Sequence, residues 1–290
     1  MTDASGAARS GPPPAYVDLH SHSTASDGAH APAAVVAAAH AAGLTAFALT
    51  DHDTLDGIPD AVAAAASLGI RLVVGIELSA VEGDVETHVL GLHISRPAEI
   101  ERGLQGLRDM RRRRAERIVD RLNELGVRVT FESVLEQAAG GAIGRPHVAR
   151  AMVQEGWATD LRDAFDRYLG NGRPACVPKD RLAMVDAFEM IHKAGGLAVL
   201  AHPAHAGTQA RLEALTAQGL DGVEVLHPSH GAEDVARLRT LADHLGLVPS
   251  GGSDWHGADG RQRALGSLHV PAEWLDRQDA RVAERAARAT

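Results

Sequence analysis

Short apolar runs alternate with longer alanine-rich or amphipathic stretches along most of the chain. "YVDLH" (16–20) reads as a strand, and "APAAVVAAAHAAG" (31–43) as a helix with Pro32 near its start and Gly43 at its end. "LTAFALT" (44–50) is a second strand, "IPDAVAAAASLG" (58–69) a helix, "IRLVVGIE" (70–77) a buried strand and "ETHVLGLHI" (86–94) a further one. From Pro97 to about Tyr168 the pattern turns helical throughout, with no convincing strand between its segments. The alternation then resumes with the helix "MVDAFEMIHKAGG", the strand "LAVLAHP", a helix near 208–218, the strand "DGVEVLH", a helix at 231–245 and "LVPSGGSDWHG".

Strand–helix–strand repetition implies parallel pairing and a barrel-like α/β fold. The expected organisation is a disordered, proline-containing tail (1–15), a barrel domain built from 16–96 and 175–275, a helical insertion subdomain (97–174) and a C-terminal helical tail (276–290). In parallel α/β barrels the C-terminal strand ends converge on one mouth, where active sites are built. "DLHSH", "LTDHD", "VGIE", "LAHP" and "GGSDWH" all fall at such ends in this reading.

Charge narrows the function. With 29 basic and 38 acidic residues, the net charge of −9 argues against a long nucleic-acid surface, which needs a basic stripe to displace counterions. A compact cationic pocket for one or two phosphates stays open. The single cysteine, Cys176, excludes an intramolecular disulfide framework and a thiolate-rich metal site. The tail lacks the apolar core of a signal peptide, and no segment approaches the roughly 20 apolar residues of a membrane span. A cytoplasmic protein with no membrane association and no obligate protein partner is expected.

The 16 histidines are the compositional oddity. His20 and His22, two apart on a strand, point to the same side and can meet one ion. Asp27 in "SDG", His52 in "TDHD", Glu77 in "VGIE", then His88, His202, Asp254 and His256 extend the set. That is too many donors for one four-coordinate ion. It suits two or three divalent ions sharing a bridging carboxylate, an arrangement fit for displacement at phosphorus. Imidazole with carboxylate suits manganese, iron or zinc.

"DLHSHSTASDG", "LTDHDTLDG", "GIE", "THVLG", "AHP" and "GGSDWHG" together resemble the successive motifs of the PHP (polymerase and histidinol phosphatase) family. The resemblance implies a distorted (β/α)7 barrel with a trinuclear metal centre. By it, His20, His22, Glu77 and Asp254 would bind a first metal, Glu77 would share a second with His88 and His202, and Asp27, His52 and His256 would hold a third. "GRPHVARAMVQEG" and "YLGNGRPACVPK" resemble the stand-alone members acting on nucleoside 3′,5′-bisphosphates, relatives of which trim short RNA from the 5′ end. That subgroup implies phosphate contacts from Arg145, His147 and Lys179, whose guanidinium and ammonium chemistry suits the task.

The expected activity is therefore removal of a terminal phosphate from a small nucleotide, by attack of a metal-activated hydroxide on phosphorus. Alternatives are a 5′–3′ exoribonuclease on short RNA, a phosphatase for another small phosphate ester (cyclic phosphate included), and a non-catalytic metal-binding module. His205, His227 and His230 follow strands and could line the pocket, His205 and His230 as substrate ligands and His230 as a proton donor. His30, His40, His93, His192, His244 and His269 read as structural, and Trp255 as either a base-stacking or a packing residue. "RRRR" (111–114), flanked by acids at helical spacing, reads as a solvated helix face.

Overall fold

A computed structural model describes residues 15–289, apart from 84, 139–142, 179–180 and 258–263. The expected tail, Ala15 excepted, lies outside the described residues. The chain divides into two compact units, one comprising the residues up to Pro97 together with Met184 onwards, the other Ala98–Ala183.

The first unit opens with β1 (Tyr16–Asp18), α1 (Pro32–Ala41), β2 (Ala46–Leu49), α2 (Ile58–Leu68), β3 (Arg71–Val74), β4 (Ile76–Glu82) and β5 (Val85–Leu92). The second unit carries α3 (Pro97–Glu124), α4 (Phe131–Ala138), α5 (Arg145–Gln154), α6 (Leu161–Ala164) running into a π-helical turn, and the two-residue β6 (Leu182–Ala183). The first unit resumes with α7 (Met184–Lys193), β7 (Leu197–Leu200), a 3₁₀ turn (Ala204–Ala206), α8 (Gln209–Gln218) and β8 (Gly222–Leu226). It ends with α9 (Ala232–Leu245), β9 (Val248–Gly251), β10 (Val270–Pro271) and α10 (Ala272–Ala289).

The chain is a mixed α/β fold, but among the described residues the strands form no closed barrel, so the expected distorted (β/α)7 barrel is not reproduced. One sheet runs β10-β1-β2-β3, and a second contains β4-β5-β7-β8-β9 in that order. Pairing is parallel at β1–β2–β3 and at β7–β8–β9, but antiparallel at β1–β10, β4–β5 and β5–β7. Two local causes account for the departure. The run at 70–77, expected as one strand, is cut at Gly75, so that β3 ends in one sheet and β4 starts the other. A Cβ at Gly75 would stand 2.7 Å from Thr50 Cγ2 and 3.1 Å from the Leu49 carbonyl, so only glycine lets the chain cross there. Then β4 and β5 are joined by a link too short for a crossover helix, which compels a hairpin.

The two sheets meet edge to edge where the polar motifs lie. The Leu19 amide donates to the Gly251 carbonyl (3.0 Å), and isolated bridges join Ser21 with Trp255 and His52 with Glu77. Beneath them Leu19, Phe47, Leu49, Ile76, Leu78, Leu90, Leu92 and Phe188 are fully buried and hold the strand ends in place.

The second unit has its own core, including Leu122, Val134, Val148, Met152 and Leu169. The arginine run is not wholly a solvated face. Arg112 pairs with Glu116 at 3.2 Å, but Arg114 is buried and donates to the Val177 carbonyl through Nε (3.0 Å) and Nη2 (2.9 Å). Its guanidinium ties α3 to a strand-less segment that cannot satisfy its own carbonyl. Among the described residues no helix is long and apolar enough to cross a membrane.

Candidate metal centre

Glu77 sits second in β4, not at a strand end, because the break at Gly75 restarts the strand just before it. Its carboxylate is 1% exposed and faces five imidazoles. Oε2 lies 3.1 Å from His20 Nε2, 3.2 Å from His22 Nε2 and 3.3 Å from His52 Nδ1. Oε1 lies 2.9 Å from His88 Nδ1 and 3.2 Å from His202 Nε2. His88 also departs from expectation: it lies inside β5, opposite Ser79, on the face that Glu77 shares.

Two further carboxylates complete the cluster. Asp254 Oδ1 is 3.2 Å from His22 Nε2 and 3.5 Å from both His20 Nε2 and His256 Nδ1. Asp27 is 3.3 Å from His256 Nε2, with His22 Nδ1 at 3.8 Å and His52 Nε2 at 3.9 Å. All nine residues expected as metal ligands thus converge within the first unit. The donor atoms of all but His202 fall into overlapping groups compact enough to hold ions: His20–His22–Glu77–Asp254, His52–Glu77–His88 and His22–Asp27–His52–His256.

Electrostatics and hydrogen bonding both suit cations. Burial alone would raise the Glu77 carboxyl, but the field and hydrogen bond of His20, the hydrogen bond of His202 and the nearby His22 ring hold it well below the usual carboxylate range. Asp254 behaves likewise, depressed by His22, His227 and His20 against its burial. Both therefore stay ionised. Neither ring nitrogen of fully buried His22 makes a hydrogen bond, although carboxylate oxygens lie within 3.2 Å. Buried polar atoms without partners are costly, and a cation between those oxygens and the imidazole lone pair would remove the cost. His202 and Asp254 also hold left-handed backbone conformations, φ 29° and 51°, as strained residues at functional sites do.

Several supporting residues were not singled out from the sequence. Glu224, inside β8, is fully buried and accepts from His20 Nδ1 (3.0 Å) and the His202 amide (2.8 Å). Asp51 accepts from the Ser23 amide and from the Ser23 and Ser26 hydroxyls, each at 2.7 Å, and so shapes the loop bearing Asp27. Asp18 accepts the Ser253 and Gly266 amides at 2.9 Å, fixing the approach to Asp254.

The residues expected at substrate are placed less simply. Arg145 and His147 lie at the start of α5 in the second unit. There Arg145 Nη1 donates to the Leu169 carbonyl (3.0 Å) and Asn171 Oδ1 (3.1 Å), and His147 Nδ1 accepts the Gly144 amide (3.0 Å). Lys179 lies outside the described residues. His230 spends both ring nitrogens on backbone, Nδ1 on the Val225 carbonyl (3.0 Å) and Nε2 on the Ala204 amide (3.1 Å). His205 is exposed on the 3₁₀ turn. His227 is buried against the cluster, with Nε2 3.4 Å from Asp254 Oδ2. Trp255 stacks on His30 at 5.1 Å and 2°. A cavity of about 250 Å³ opens beside His88 and His202 and is lined further by Thr87, Pro203 and Arg211.

The sequence profile of the PHP domain matches residues 18–170, just over half of the chain. A 3′,5′-nucleoside bisphosphate phosphatase of Chromobacterium violaceum is 37% identical over 250 residues, covering 83% of this chain and 87% of its own. A 5′-3′ exoribonuclease of Haemophilus influenzae is 35% identical over 245 residues, 82% of this chain and 89% of its own. Among solved structures, a Bifidobacterium adolescentis protein assigned as a metal-dependent phosphoesterase superposes with a TM-score of 0.66 at 32% identity, covering 93% of this chain and 98% of that one. The chain belongs to the PHP domain family.

Proposed function

We propose that the protein is a metal-dependent phosphoesterase that removes a terminal phosphate from small nucleotides, nucleoside 3′,5′-bisphosphates first among them. The observation that carries this reading is the buried Glu77 carboxylate ringed by five imidazole nitrogens, within reach of Asp254 and Asp27. It assigns His20, His22, Glu77 and Asp254 to one ion, Glu77, His88 and His202 to a second, and Asp27, His52 and His256 to a third, each manganese, iron or zinc. When bound, such ions make water nucleophilic at neutral pH and neutralise charge on phosphoryl oxygens.

The chain's own residues do the rest. Glu77 would be shared by two of the ions. Asp254 and Asp27 would hold the outer positions, and the cavity beside His88 and His202 would receive the remainder of a small phosphorylated substrate. Arg145, His147 and Lys179 are assigned to substrate phosphate on the family resemblance, which would require Arg145 to exchange a bond to Leu169 or Asn171 for the ligand. His205 and His230 are the candidates for protonating the leaving oxygen, His230 once its Nε2 has released the Ala204 amide and taken up a proton from water.

The test is phosphate release from a nucleoside 3′,5′-bisphosphate by manganese-loaded protein, against mononucleotides and a labelled short RNA. Release from the bisphosphate, abolished in His22→Ala and Asp254→Ala, is expected; full activity in either variant would overturn the reading. The similarity to an exoribonuclease supports a second activity on RNA of a few nucleotides, which a time-resolved product ladder would expose.

A further inference from the structure

We infer that Glu224 is a positioning residue that braces two of the three proposed ion positions at once, and that the third is built without it. The inference rests on the phosphoesterase reading only for the presence of ions. Glu224 is fully buried in β8, between β7 and β9, where a carboxylate with nothing to do would be costly. Each of its oxygens has one donor, and the two donors belong to different proposed ion groups.

The first is His20. Nδ1–H donates to Glu224 Oε1 at 3.0 Å, which fixes a proton on Nδ1, while Nε2 faces Glu77 Oε2 at 3.1 Å and is the nitrogen that would give its lone pair to an ion there. A metal-ligating histidine needs that tautomer, and a carboxylate behind the ring is the usual way to fix it. The second is His202, whose amide donates to Oε2 at 2.8 Å. His202 sits at φ 29°, a conformation a residue with a Cβ keeps only where its surroundings enforce it. Glu224 thereby selects the tautomer of one ligand and holds the backbone of another. Among the described residues no hydrogen bond or ion pair joins it to Asp27, His52 or His256, and the loop bearing Asp27 is organised by Asp51 and Ser23 instead.

Glu224→Gln discriminates because an amide of the same shape has one acceptor where the carboxylate has two. If its oxygen faces His20, its NH₂ confronts the His202 amide, donor against donor. If it turns over, the NH₂ faces His20 Nδ1 and drives the proton to Nε2, the nitrogen that must be bare.

The experiment is zinc binding to the full chain, measured by equilibrium dialysis against a chelator-buffered series. It is joined to ¹⁵N–¹H correlation spectra of the histidine rings and to a thermal melt. Wild-type protein should show His20 protonated at Nδ1. Glu224→Gln should bind the ions at His20 and His202 about 10–100-fold more weakly, while the ring signals of His52 and His256 still respond to zinc at wild-type concentrations. Unchanged affinity at every position, or weakening confined to His52 and His256, would overturn the brace. Should the variant fail to fold, the spectrum of zinc-loaded wild-type protein decides alone: a proton on His20 Nε2, or none on Nδ1, refutes the assignment. Wild-type protein that binds no zinc would overturn the phosphoesterase reading as well.

Discussion

Gly252→Ala tests how tightly the centre depends on backbone contact. A Cβ at Gly252 would stand 2.4 Å from both the Cβ and the N of His20, and 2.8 Å from its Cα. Carbon atoms rest at about 3.5–4.0 Å, so one strand end must give way by about 1 Å. No rotamer relieves the conflict, because every contact is with backbone or Cβ. The Leu19–Gly251 hydrogen bond just before it and the Asp254 amide on the His20 carbonyl (2.9 Å) restrain both partners. The His20 ring therefore moves relative to Glu77 and Asp254. A misplacement of about 1 Å costs on the order of 10²-fold in rate, while overpacking costs about 1–3 kcal/mol of stability. The assay is manganese-dependent phosphate release alongside urea unfolding. Gly106→Ala serves as control: it lies in α3 with open space where its Cβ would go, and it should be neutral or slightly stabilising. Activity of Gly252→Ala within threefold of wild type would refute the claim that this glycine exists to seat His20.

Dialysis against a strong chelator should abolish phosphate release, and added manganese should restore it; activity that survives chelation would contradict the metal reading. Asp221 is buried, and despite that burial its bonds to His192, the Ala198 amide and Arg285 hold its carboxyl below the usual range. A depressed folded-state value gives stability that is present above the unfolded value of about pH 4 and lost as pH falls below it towards the lower folded value. Asp221→Asn should therefore cost about 1–3 kcal/mol at neutral pH, and the gap should close in acid; a pH-independent gap in denaturant titrations would count against it. Met152→Ala, fully buried in the second unit, should cost about 2–5 kcal/mol, with hydrogen exchange rising among residues of that unit; unchanged protection there would show that its core does not depend on this side chain.

The residues of the cluster were legible where chemistry and strand periodicity agree. His20 and His22 could be paired from spacing alone, and Asp254 and His256 stood out beside a glycine turn. Glu77 was legible as a carboxylate after an apolar run, but its place was misread, since nothing in "LVVGIE" marks Gly75 as a passage between sheets until the Thr50 methyl is set beside it. The barrel expectation failed on the same stretch: the short "EGDV" link between β4 and β5 carried a hairpin signal that the strand–helix rhythm obscured. Glu224 was hidden for another reason. In "DGVEVLH" it alternates with valines as a solvent-facing residue would. Only the fold, in which both faces of β8 are covered, puts it inside. Arg145 shows the reverse limit, because its chemistry suits phosphate whereas its observed partners are Leu169 and Asn171 of its own unit.

The meeting of the two sheet edges also sets a timetable. His20 and Glu224, which touch, are 204 residues apart in the chain. At translation rates of about 5–20 residues per second, on the order of 10–40 s separate their appearance from the ribosome. Asp254 and His256 emerge later still. Throughout that interval the early histidines have only part of their carboxylate complement, so a nascent chain offers ions at most a loose, exchangeable foothold. Tight loading of the proposed centre would therefore await the finished polypeptide.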